Sequence, residues 1–434
     1  MKTKKLLNCA WLAAVALVWC PSIDAQTATA KSHWVSGWST AVQAPADYPG
    51  APPLLVVENQ TVRMVVRPTL GGDRLRVRLS NEYGTSALKI GAAHIALVRQ
   101  GAVIVPNSDR ALTFGGQASV SIPAGAPMLS DPIDLKTTDL AELAITLYLP
   151  EKATGSTTHF LGQHETYVSA PGNFSATEEW KPSSVTKSWY WLEGVDIWSD
   201  AETTALVAFG DSITDGYGST MGSYGGWPSQ LAKRLGSAGP GTRIAVINKG
   251  ISGNRVLHDG AGVSALARLD RDLLAEPGVA GMIVLESIND IGWPYIKVAA
   301  PKGSDSSDYF LFADQKVSAQ ELRVGLLQLI ERAHERGIKV YGATLTPFEG
   351  VNTYTAEGEA IRQDLNRWMR TGGAFDAVVD FDAAVRDPEH PTQLRADYDC
   401  GDHIHPSDAG YKAMAAAIDL ALLKHLSPGP RDRQ

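Results

Sequence analysis

Hydrophobic positions along the 434-residue chain follow two rhythms, and the change falls near Ala205. From about Trp34 to Trp198 the apolar runs are short, β-branched and separated by turn residues. Thr61-Val-Arg-Met-Val-Val-Arg67 ends at Pro68, and Gly71-Gly72 makes a turn. Arg74-Leu-Arg-Val-Arg-Leu-Ser80 then alternates strictly, leucine and valine one way and arginine the other. That period of two predicts a half-buried strand. Ala118–Ile122 and Leu143–Leu149 repeat the pattern. Strands at this spacing, with no strong helical segment between them, predict an all-β sandwich, jelly-roll-like in kind.

Beyond Ala205, strand-like runs alternate with helical ones. Leu206–Phe209, Arg243–Asn248, Gly281–Glu286, Lys339–Leu345 and Ala377–Phe381 read as strands. Helices are expected near Trp227–Leu235, Ala265–Ala275, Glu321–Arg336, Ala356–Arg370 and Ser407–Leu423. Strand–helix units in series predict an α/β domain with a parallel sheet and helices on both faces. The stretch from Trp293 to Lys316 fits no element and carries Pro294, Pro301 and Gly303. A connection of that length is often a functional lid.

Composition adds limits. Lys2, Lys4 and Lys5 precede the apolar run Leu6–Trp19, and small residues follow around Ala25 and Ala28–Ala30. That is the layout of a signal peptide, placed at residues 1–25, and it implies export to the periplasm or the exterior without stable membrane insertion after cleavage. The run is short for a membrane span, which disfavours an uncleaved anchor. A lipoprotein cysteine at Cys20 is disfavoured by the bulk of Trp19. Cys9 and Cys20 lie in this leader, so the mature chain keeps Cys400 alone and forms no internal disulfide. Nothing has the paired cysteine spacing of a zinc site. Lys and Arg number 39 against 47 Asp and Glu, a net charge of −8, which argues against nucleic acid as partner.

Four polar loops follow strand-like runs in the second half: Gly210-Asp-Ser-Ile-Thr214, Asn248–Arg255, Glu286–Gly292 and Asp399-Cys-Gly-Asp-His-Ile-His-Pro406. At the carboxyl edge of one parallel sheet they would converge on one crevice. In this order they resemble the blocks of the GDSL, or SGNH, serine ester hydrolases. The resemblance covers about Thr204 to Leu423, and the β-rich half is similar to the extra domain of some exported members. It implies a flavodoxin-like hydrolase domain at residues 204–425, preceded by a β-sandwich accessory domain at 31–200. It also implies Ser212 as nucleophile, His405 as base, Asp402 as its orienter, and an oxyanion hole from Ser212, Gly253 and Asn289. No metal or organic cofactor is implied. Ser287 departs from the pattern, which has glycine two residues before the asparagine.

The residue types suit the chemistry. A serine hydroxyl needs a base to take its proton, and an aspartate three residues before a histidine can hold the useful tautomer. Other readings stand beside this one. His403 could be the base, Asp397 and Asp399 are rival orienters, Asn289 could cap a turn, and Asp211 and Asp215 read as loop-shaping groups. Cys400 reads as a packed thiol. His159 and His164 read as surface or packed histidines rather than a metal pair. Trp189-Tyr-Trp191 and Trp198 fit inter-domain packing better than a sugar platform.

The expectation is therefore an exported esterase acting on O-acetyl carbohydrate or other short-chain acyl esters. One alternative is a lipid-directed esterase or lysophospholipase, with Tyr309–Phe312 lining an acyl channel. Another is a glycan-binding protein with a degenerate hydrolase half.

Overall fold

Residues 32–45, 53–237, 243–298 and 309–427 are described by the structure, a computed structural model. The leader expected at residues 1–25 lies outside them, as do residues 299–308 of the long connection.

Seven strands carry the β-rich half: β1 (His33–Ser39), β2 (Gln60–Val66), β3 (Arg74–Ser80), β4 (Ala92–Gln100), β5 (Leu143–Leu149), β6 (Thr166–Val168) and β7 (Leu192–Ser199). They pair antiparallel in two sheets, one built on β1–β7–β3 and the other on β6–β2–β5–β4. Alternation explains the core between them. Leu75, Val77 and Leu79 of β3 share one buried cluster with Val62 and Met64 of β2 and Ile145 and Leu147 of β5.

The arginine face of β3 is solvated at Arg74, as alternation suggests, but not at Arg78. Arg78 is buried, with Nη2 2.7 Å from Glu276 Oε2 and Nε 3.1 Å from Asp196 Oδ1. The cause is what covers that face. Ser36 of β1 donates its N–H to Pro277 O at 3.0 Å, and Lys249 Nζ lies 2.8 Å from Thr40 O and 2.7 Å from Glu276 Oε1. Buried charges are retained only when paired in this way. From Lys31 onward the chain forms one compact unit.

The second half is a five-stranded parallel sheet of β8 (Thr204–Gly210), β9 (Ile244–Gly250), β10 (Val279–Leu285), β11 (Lys339–Ala343) and β12 (Ala377–Val379), in the order β9–β8–β10–β11–β12. Its helices are α1 (Ser212–Asp215), α2 (Trp227–Ser237), α3 (Ala265–Leu269), α4 (Ile288–Gly292), α5 (Ala319–His334), α6 (Ala356–Thr371), α7 (Phe381–Val385) and α8 (Asp408–Ala417). Period-two side chains of β8 feed both faces. Ala205, Val207 and Phe209 join Leu269, Leu326 and Leu365 of α3, α5 and α6. Leu206 and Ala208 join Trp227, Leu231, Tyr411 and Met414 of α2 and α8. A strand buried on both sides reads as a continuous apolar run, as Ala205–Phe209 does.

Two elements depart from expectation. The last helix ends at Ala417, where Ile418 turns extended; Asp419 then caps a separate 3₁₀ turn, Leu420–His425. In the long connection, Trp293–Tyr295 forms a 3₁₀ turn, and Lys297–Val298 pairs with Tyr309–Phe310 as a short hairpin.

Candidate active site

Gly210 of β8 lies level with Gly250 of β9 and Leu285 of β10, so the three strands end together. The loops after them therefore emerge side by side. Asp211 caps the turn that follows β8, its side chain accepting from the Ile213 N–H at 2.9 Å, and Ser212 opens α1. Opposite it, the loop before α8 brings in histidine. His405 Nε2 is 2.7 Å from Ser212 Oγ, and His405 Nδ1 is 2.7 Å from Asp402 Oδ2. Asp402 Oδ1 also accepts the N–H groups of Ile404 and His405 at 3.1 and 2.9 Å, which fixes the carboxylate on its own turn. Partial burial opposes the charge on Asp402, but the hydrogen bond and charge of His405 hold its pKa well below the usual carboxylate range. With a carboxylate at Nδ1, the ring carries its proton there and presents Nε2 to the serine as an acceptor.

The rival residues are engaged elsewhere. His403 is exposed and pairs with Asp399 at 2.8 Å, and Asp397 pairs with Arg395 at 2.9 Å. Cys400 is exposed rather than packed. Partial burial and the neighbouring Asp402 carboxylate push its thiol up to about 11, so it stays protonated.

Gly253 sits at φ 83°, and a Cβ there would meet Trp293 Cζ2 at 2.6 Å and Ala261 Cβ at 2.8 Å. Glycine is required on both counts. Asn289 donates one amide hydrogen to Asn254 O at 2.9 Å, leaving the second available. The Asp290 carboxylate accepts from the Val256 and Leu257 N–H groups at 2.7 and 3.0 Å, which ties the third polar loop to the second. Among the described residues the backbone N–H groups of Ser212 and Gly253 have no acceptor.

Behind this surface lies a charge cluster that sequence reading missed. Arg268, fully buried on α3, donates to Asn254 Oδ1 at 2.8 Å, Lys249 O at 2.8 Å and Gly210 O at 3.0 Å, so one guanidinium holds the backbones of the first two loops. It also meets Asp272 at 3.2 Å and Glu286 at 3.3 Å. Burial lifts Asp211 to about 7 and Asp290 to about 6, and it raises Glu286 as well, with Asp211 adding to that rise. Arg268 stands four residues before Asp272 on a helix, the one signal available in sequence, and that spacing is common on exposed faces.

Ser287 occupies φ 104°, ψ −19°, a left-handed conformation, and its buried Oγ has no partner among the described residues. Asn289 nonetheless meets Asn254 O.

The aromatic passage is internal. Trp189, Tyr190 and Trp191 are buried, and only Trp198 is exposed. Phe312 stacks on Trp293 at 5.2 Å, and the Arg255 guanidinium lies over both rings.

A serine, a histidine and an aspartate stand in hydrogen-bonded line at the carboxyl edge of a parallel sheet, an arrangement suited to nucleophilic acyl transfer. Residues 208–413 match the GDSL-like Lipase/Acylhydrolase family, a family of carboxylic ester hydrolases. Several solved structures are similar over about half of the chain. An acetylxylan esterase from Geobacillus stearothermophilus, a catalytic mutant, is 23% identical, with a TM-score of 0.37 over 51% of this chain and 94% of its own. An α/β hydrolase enzyme from the metagenome of Lake Arreo, Spain, is 25% identical, with a TM-score of 0.37 over 51% and 95%. A GDSL-like lipase from Bacteroides thetaiotaomicron is 19% identical, with a TM-score of 0.35 over 51% and 89%. No curated protein matches the chain. No helix among the described residues is long and apolar enough to cross a membrane.

Proposed function

We propose that the chain is an exported esterase that hydrolyses short-chain acyl esters, O-acetylated carbohydrates among them, through an acyl-serine intermediate on Ser212. The observation that carries the reading is the line Asp402–His405–Ser212, with both links at 2.7 Å. As Ser212 Oγ attacks the ester carbonyl, His405 Nε2 takes its proton, and Asp402 stabilises the resulting imidazolium. The carbonyl oxygen becomes an oxyanion, received by the N–H groups of Ser212 and Gly253 and the free amide hydrogen of Asn289. On collapse, His405 returns the proton to the departing alcohol, and water repeats the sequence on the acyl-enzyme. In this reading the hydrolase domain, residues 204–425, is flavodoxin-like and three-layered, and residues 31–200 form a β-sandwich beside it.

The short acyl group is favoured by Trp293, whose indole packs against Gly253 and Gly260 and narrows that side. The lipid-directed alternative needs an open apolar channel at the hairpin. Phe312 is instead engaged with Trp293, and Phe310 with Tyr295 at 6.5 Å. The test is a series of initial rates on p-nitrophenyl esters from acetate to long chains, for wild type, Ser212→Ala and His405→Ala. Activity highest on acetate and propionate, lowered roughly 10⁴–10⁶-fold in the variants, supports the proposal. A maximum at long chains moves the assignment to lipids, and no turnover of any ester moves it to glycan binding.

A further inference from the structure

One buried histidine of the β-rich half reaches into the hydrolase half. His159 lies on the short strand Thr158–His159, which pairs with Trp189–Tyr190 and is bonded on its other side to Gln43. Its ring is 2% exposed and stacks on Trp189 at 5.6 Å. Nδ1 is 2.9 Å from Ala41 O, and Nε2 is 3.0 Å from Asp215 Oδ1. Ala41 O can only accept. Asp215 Oδ2 already accepts from Ser252 Oγ at 2.7 Å and Ser252 N at 3.2 Å, the arrangement of an ionised carboxylate. With Asp215 ionised, both ring nitrogens donate and the ring is an imidazolium.

Asp215 stands at a junction. It closes α1, the turn that begins with Ser212, and its own carbonyl accepts from Asn248 Nδ2 at 3.2 Å. Ser252, which it holds at two atoms, shares a planar peptide unit with Gly253. Holding Ser252 at N and Oγ limits how that peptide plane, and with it the Gly253 N–H, can turn. We propose that His159 is a positioning residue of the esterase: its imidazolium holds Asp215, and Asp215 holds Ser252 and so aims the Gly253 N–H at the oxyanion. This inference rests on the serine-hydrolase reading above. It makes the β-rich half part of the active site rather than an appendage.

The charged groups around the ring decide its pH behaviour. Burial opposes its charge. The Asp215 carboxylate, by charge and hydrogen bond, outweighs burial and the opposing charge of Lys249, and the ring's pKa rises above the ordinary histidine value. His164 lies across Trp189 at 6.4 Å, and burial with Arg67 nearby lowers it to about 4, so it is neutral at working pH. A raised pKa places the imidazolium below that value and its loss above it. Turnover should therefore carry an alkaline limb belonging to His159.

The experiment uses the full mature enzyme with p-nitrophenyl acetate. His159→Ala should lower kcat about 10- to 100-fold with KM within about twofold, as expected for a misaimed transition-state donor. Asp215→Asn should remove the alkaline limb, because an amide can donate to a neutral His159 Nε2 while its oxygen still accepts from Ser252; its kcat should fall only a few-fold. NMR of ¹⁵N-histidine wild-type enzyme should show His159 protonated at both nitrogens at pH 7, and this reading decides the matter if His159→Ala fails to fold. A neutral His159 at pH 7, or wild-type kcat and pH profile in both variants, overturns the proposal. Ser212→Ala run in parallel separates the two ideas: if it stays active, the serine mechanism is what has failed.

Discussion

Ser287 offers a quantitative test of how the third polar loop is held. Its φ of 104° suits glycine, and its buried Oγ lacks a partner among the described residues. Holding a side chain in so sparsely populated a region costs about 1–3 kcal/mol. An unsatisfied buried hydroxyl adds roughly 1 kcal/mol. Glycine gives back roughly 0.5–1 kcal/mol through its freer unfolded chain, and the loss of a small buried side chain gives back a little more. Ser287→Gly should thus stabilise the enzyme by about 1–2 kcal/mol. Ser287→Ala separates the causes: it removes the hydroxyl but keeps the strained backbone, so its gain should be roughly 1 kcal/mol or less. The assay is urea unfolding, followed by fluorescence, with the denaturant slope unchanged across the three proteins. Because Asn289 is anchored on Asn254 O at 2.9 Å, kcat of the glycine variant should stay within about twofold of wild type. A glycine variant no more stable than wild type would refute the strain argument, and a large fall in kcat would show that Ser287 itself places Asn289.

Three further outcomes follow from the same geometry. Asp402→Asn should lower kcat by roughly 10³–10⁴ with little change in melting temperature, since it loses the tautomer control but not the fold; steady-state rates and thermal unfolding check both. Arg268→Leu should cost more than about 3 kcal/mol in urea unfolding, because it strands Glu286 and frees two loop carbonyls. Asp211, raised by burial to about 7, is ionised more readily in the unfolded chain than in the folded one. Its stabilising contribution is present below the ordinary carboxylate value and is lost as pH rises through about 7. The stability of Asp211→Asn relative to wild type should therefore improve from pH 4 to about pH 7 and level off above it, whereas a flat difference throughout would show that Asp211 is not held protonated.

What the sequence revealed and what it hid divide on physical lines. The period-two runs and their replacement by strand–helix alternation marked both halves, because burial on one face or two writes itself directly into residue type. The polar loops were legible because each follows an apolar strand, and Asp402 and His405 are three residues apart, so their geometry is local. Partners distant in sequence were not legible. Arg78 pairs with Glu276, 198 residues away, and His159 with Asp215, 56 residues away. Alternation shows which way a side chain points but not what covers it, so the arginines of β3 looked solvated and His159 looked incidental. Backbone conformation at single residues was equally hidden. The identity of Ser287 showed a departure from glycine, but only the structure shows that the left-handed geometry is kept.

The central claim is that Ser212 becomes acylated with His405 as its base. Mass spectrometry of the mature enzyme after treatment with a fluorophosphonate tests it directly, with the modified peptide mapped and His405→Ala as the companion. One adduct per chain is expected, on Ser212, formed far more slowly in His405→Ala and absent in Ser212→Ala. An adduct on any other residue, or an active wild-type enzyme that takes no label, would contradict it.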